Sequence, residues 1–101
     1  MSMADGGSKR KEVLEKAYKC VCGGRDETYG GPETSFAAIA RLWSAYLDRD
    51  VEPKDVAVMM VLFKAGRISS GMSVLDNWVD MAGYAACGGE IDFSAKNEKK
   101  Y

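Results

Sequence analysis

Histidine is absent from the chain. With it go Ser–His and Cys–His catalytic pairs and every metal site that needs an imidazole ligand. Cysteine is scarce and odd in number: Cys20, Cys22 and Cys87. Cys20-x-Cys22 is one residue short of the redox and zinc spacing, and no second pair completes a site. The thiols therefore read as reduced, in a cytoplasmic protein. Neither charge dominates, with 14 Lys and Arg against 15 Asp and Glu. No basic surface for DNA and no acidic surface for a basic partner is indicated. No apolar run approaches the ~20 residues of a membrane span, the longest being Val56 to Phe63. The polar opening MSMADGGSKRK holds no signal-peptide apolar core, so no membrane association is expected and the protein stays where it is made.

A chain of 101 residues, 47% hydrophobic and 29% charged, is sized and composed for one globular domain. Residues 1–8 are polar and Gly/Ser-containing and read as a disordered tail. Residues 9–92 form a single helical domain, and 93–101 a flexible tail. Val13, Leu14, Ala17, Tyr18 and Val21 have helical spacing within a first helix from about Ser8 to Cys22. A second runs from about Glu33 or Thr34 to Leu47 on the stripe Phe36, Ile39, Ala40, Trp43, Tyr46 and Leu47. A third opens at Pro53, favoured at the first helical position, with Asp55 near the positive end of the helix dipole. A fourth starts near Ser73, where Ser73-x-x-Asp76 has the form of a capping box, and ends at Gly88-Gly89. No segment alternates at period two. The fold class is all-α, a compact four-helix bundle. The third helix is apolar on nearly every face before Lys64, which predicts a central place or burial in a homo-oligomer interface. Trp43, Trp78 and the methionines of the third helix read as core.

The third and fourth helices also carry the chemistry. Folding them back antiparallel across the Ser/Gly turn sets Arg67 opposite Asp76 and Lys64 opposite Asp80. Asp76 and Asp80 stand one helical turn apart on a face that continues through Gly83, Tyr84 and Cys87. Paired carboxylates at this spacing suit Mg²⁺, a hard cation that takes oxygen ligands and bridges to phosphates. The plainer alternative has Asp76 capping its helix and Asp80 pairing with Lys64. Lys64 and Arg67 share a face, and as phosphate ligands Arg67 would supply a bidentate fork and Lys64 a point charge. The C-terminal end of the third helix accounts for Arg67 without a ligand. It accounts less well for Lys64, which follows eight apolar residues and needs a partner if buried.

The stretch at 25–32, RDETYGGP, is the other place to look. Gly30 and its neighbour let the backbone approach a ligand closely, Tyr29 offers a ring for stacking, and Arg25 a further cation. An ordinary helix connection is the alternative, although the loop is long for one. In an up-and-down bundle this loop lies at the same end as the turn between the third and fourth helices. Arg25 and Tyr29 would then close over a ligand held by Lys64, Arg67 and the two aspartates.

Most of the chain, from Val13 to Glu90, resembles a family of small uncharacterised phage and prophage proteins. The resemblance rests on the 25–32 loop, LWSAYL at 42–47, DVAVMMVLFKAGRI at 55–68 and DNWVDMAGYAA at 76–86. More distantly, Lys-x-x-Arg followed by Asp-x-x-x-Asp and Gly-Tyr resembles phage domains associated with nucleotide modification and the all-α MazG-like nucleoside triphosphate pyrophosphatases. That resemblance implies a nucleotide or other phosphorylated small molecule as ligand, Mg²⁺ as cofactor, and Asp76 and Asp80 as metal-holding, catalytic residues. Lys64, Arg67, Arg25, Tyr29, Gly30 and Tyr84 would then be ligand contacts, and the host cytoplasm the location. Three functional classes stay open: a nucleotide-handling protein, a factor that binds or inhibits a host protein, and a plain structural bundle.

Overall fold

In the computed structural model the described residues are 8–23 and 31–94. Among them the chain forms four helices and no strand. They are α1 (Lys9–Cys22), α2 (Pro32–Leu47), α3 (Pro53–Ser69) and α4 (Leu75–Asp92). Of the expected terminal tails, 1–7 and 95–101 lie outside the described residues, as does the 25–30 part of the glycine loop, whereas Ser8 and Phe93 flank the first and last helices.

Each helix begins for a local reason. Ser8 caps α1, its hydroxyl accepting from the Lys11 N–H. Along α1, Lys9 and Lys16 both pair with Glu12 at 3.4 and 3.2 Å. Their hydrogen bonds, Lys16 first, hold the Glu12 carboxyl below its ordinary range. Pro32 stands at the first position of α2 and Pro53 at that of α3, where a missing N–H costs nothing. The Asp55 carboxylate accepts the Glu52 N–H at 2.9 Å, closing the entry to α3. Between α2 and α3, Asp48 takes a left-handed backbone (φ 55°) that ends α2. The Ser44 hydroxyl then bridges back to both the N–H (2.8 Å) and the carbonyl (3.2 Å) of Val51.

The central helix is α4, which packs against all three others, while α3 packs on α4 and α2. The sequence pointed to α3 for that place or for burial in an oligomer interface. The reason for the exchange is side-chain size. A Cβ on Gly88 would stand 3.0 Å from the Ala57 methyl, and one on Gly83 would stand 3.3 Å from Val21 Cγ1. α4 therefore admits neighbours at close range on two sides, α3 at Gly88 and α1 at Gly83. This use of Gly88 also explains why α4 runs through Gly88-Gly89 to Asp92 instead of stopping there. Lys54 and Asp92 meet at 3.8 Å at that end.

Among the described residues the buried apolar ones are few and mostly small: Ala17, Ala40, Val56, Ala57 and Val79. Large apolar side chains lie outside, among them Val58, Met59, Leu62 and Phe63 on α3 and Trp78 on α4. Trp78 and Met59 are thus not core residues, contrary to the sequence reading. Successive residues turn by about 100° around a helix. With Val79, Asp80 and Gly83 turned inward, Trp78 falls on the opposite side.

Candidate functional site

The site is built where α3 and α4 fold back on each other. α3 ends at Ser69, and Gly71 takes the positive φ (101°) that reverses the chain. The Met72 N–H returns to the Arg67 carbonyl, and the buried Asn77 donates its side-chain amide to the Met72 carbonyl. These bonds begin α4 at Leu75 with Val74 as the flanking residue and no side-chain cap. The expected Ser73–Asp76 capping box is therefore not formed. Asn77 performs the bracing from inside the helix, and Asp76 is left exposed in the first turn.

One turn further along, Lys64 Nζ and Asp80 Oδ2 meet at 2.9 Å, with side chains 17% and 40% exposed. The antiparallel register read from the sequence places these two correctly. The other pair it anticipates does not form. Among the described residues Arg67 makes no ion pair with Asp76, and its Nε is buried without a hydrogen-bond partner. The guanidinium instead stands over the Phe63 ring, 5.8 Å from its centre, and Lys64 Nζ lies 5.6 Å from the same ring. One aromatic ring thus lies beside both cations. Tyr84, one turn beyond Asp80, is half-buried and meets Phe36 of α2 at 6.4 Å with the rings tilted.

Lys64 and Asp80 thus close a seam between α3 and α4, and Arg67 stands beside it on α3 over the Phe63 ring. Tyr84 follows one turn on along α4, and Asp76 is exposed at the turn. Arg25, Tyr29 and Gly30 lie outside the described residues, and so does the composite site in which they close over the ligand. Two participants were not singled out from the sequence. Phe63 reads there as one more apolar residue of α3, and Asn77 is hidden between two aspartates and a tryptophan. An amide placed in the first turn of a helix otherwise entered by Val74 and Leu75 is the signal that would have found Asn77.

No three Cys, Asp or Glu groups come together as metal ligands among the described residues. The carboxylates available to a cation here are Asp76 and Asp80, of which Asp80 is already held by Lys64. This donor set fits an ion that arrives with its own oxygen ligands better than one held by protein alone, because Mg²⁺ commonly uses one or two carboxylates plus substrate phosphates. No described helix is long and apolar enough to cross a membrane.

Comparison with known proteins places the chain among phage sequences. It is 39% identical over 77 residues to the gene 55 protein of Mycobacterium phage D29, a match covering 76% of this chain and 51% of that protein. It is 43% identical over 75 residues to the gene 55 protein of Mycobacterium phage L5, covering 72% of this chain and 47% of that protein. The chain thus spans about half the length of the curated relatives it matches. No solved structure matches it. The model of a domain of unknown function, DUF6378, matches residues 12–92, which takes in all four helices almost entire, and the chain belongs to that family.

Proposed function

We propose that the seam between α3 and α4 binds a phosphorylated nucleotide. The observation that carries this reading is Arg67. A guanidinium whose Nε is withdrawn from water and hydrogen-bonded to nothing among the described residues is costly to maintain. An anion with several acceptor oxygens would satisfy it, and a phosphate matches its fork. Lys64, beside it on the same ring, adds a second positive charge. Asp76 and Asp80 would hold Mg²⁺ on the phosphates, and that ion would offset the repulsion between the carboxylates and the ligand. Tyr84 lines the inner end of the seam.

The MazG-like resemblance supports a nucleoside triphosphate as the ligand and, with Mg²⁺, its hydrolysis, for which Asp76 and Asp80 are the metal-holding residues. α3 bears Asp55 at its start and no further acid, so binding is the stronger part of the reading. A cytoplasmic location follows from the ligand. Inhibition of a host protein is the second reading, favoured by the large apolar side chains left outside on α1 and α2, among them Leu14, Tyr18, Leu42 and Tyr46.

The test is a thermal-shift screen of nucleoside mono-, di- and triphosphates with and without Mg²⁺, each paired with an assay for released phosphate or pyrophosphate. A ligand at 100 times its Kd adds about 2.7 kcal/mol, which for a domain of this size raises Tm by about 10 °C or more. A flat response to every nucleotide would overturn the nucleotide reading and favour the protein partner.

A further inference from the structure

We infer that a second copy of this chain docks on the outer face of α3. Val58, Met59, Leu62 and Phe63 make a continuous stripe there, with Leu62 63%, Val58 56% and Phe63 53% exposed. Val58 also forms one wall of a shallow apolar groove between α3 and α4. Val61, Ala85 and Gly88 line it, and Lys54 and Asp92 stand at its end. Ridge and groove therefore lie side by side on one surface, the self-complementary arrangement a twofold interface requires.

Charge and area both favour a copy of the same chain. No charged residue interrupts α3 from Val56 to Phe63, and Lys64 turns its amine inward to Asp80. Charge depletion of this kind marks the centre of homodimer interfaces. The four stripe side chains expose roughly 400 Å² of apolar surface, taking ordinary aliphatic and aromatic side-chain areas. A standard interface buries about 800 Å² on each partner, a little over half of it apolar. The groove walls supply the remainder. Among the described residues five buried apolar ones, three of them alanine, are a thin core for so many large side chains left outside, and pairing would bury the surplus. Phe63 belongs to this stripe and also lies beside Lys64 and Arg67. The partner copy would sit over the edge of the charged seam and reduce its access to water.

Light scattering after size exclusion, on the full chain without nucleotide, tests the inference independently of ligand binding. The expected mass is twice the 11.0 kDa of the chain. Leu62→Glu should reduce it to the monomer with helical circular dichroism retained. Leu14→Glu, at an exposed apolar residue of α1, should leave the dimer intact. If Leu62→Glu fails to fold, Met59→Lys serves the same purpose. A wild-type monomer would overturn the inference and assign the face to a different partner. A dimer that survives both α3 substitutions would overturn it as well.

Discussion

Arg67 is the residue on which stability and function pull apart. An unpaired buried Nε costs folding energy, and an unbranched apolar side chain of similar length does not. Arg67→Met should therefore leave stability unchanged or raise it by up to about 1 kcal/mol in urea unfolding, while binding of a phosphorylated ligand falls. Asp80→Asn acts in the opposite direction. It strands the Lys64 ammonium, which is mostly enclosed, and should cost roughly 1–2 kcal/mol, between the values for surface and buried pairs. Equal stability in the Asp80 variant would mean that Lys64 simply swings to solvent. The Lys64–Asp80 contact was legible in the sequence because it depends only on an antiparallel register and an amphipathic break after an apolar run. The Arg67–Asp76 contact was misread for a reason of local geometry. Met72 folds back on the Arg67 carbonyl and Asn77 holds Met72, so the turn is not a symmetric hinge, and Asp76 emerges toward solvent.

The helices themselves were legible to within a few residues, since caps, prolines and 3.6-residue periodicity are written locally. Which helix takes the centre was not. That depends on how closely backbones approach: Gly88 looks like a helix end in the sequence, when it and Gly83 are contact points in the fold. The two adjacent glycines near the end of α4 make a direct test. A Cβ on Gly89 meets nothing within 4 Å, so Gly89→Ala should stabilise by about 0.5–1 kcal/mol through helix propensity alone. A side chain at Gly88 meets the Ala57 methyl. Gly88→Val should lower stability by roughly 1–3 kcal/mol as α3 is pushed from α4. Thermal unfolding of the two variants side by side should move Tm in opposite directions. The same direction for both would show that α3 and α4 tolerate separation. Asn77→Ala removes the brace on the α3–α4 turn and should cost about 1–3 kcal/mol.

At the scale of the whole molecule, the four described helices enclose a small core and leave two unsatisfied features on α3: an apolar stripe outside and an Arg67 Nε with no hydrogen-bond partner among the described residues. We propose a second copy as the occupant of the first and a phosphate as that of the second, and Phe63 belongs to both features. The all-α architecture and the phage family were legible from pattern and motif. A phosphorylated ligand was suggested by residue type and resemblance, but residue types and spacings do not say which cation lacks a hydrogen-bond partner among the described residues. The measurement that decides the account is calorimetric titration of nucleoside triphosphates with Mg²⁺ into the wild-type protein and into Arg67→Met. Saturable binding of at least one nucleotide by the wild type, weakened tenfold or more in the variant (about 1.4 kcal/mol) with its Tm not lowered, is the predicted result. Heats absent for every triphosphate, or binding that survives the loss of Arg67 undiminished, would contradict it.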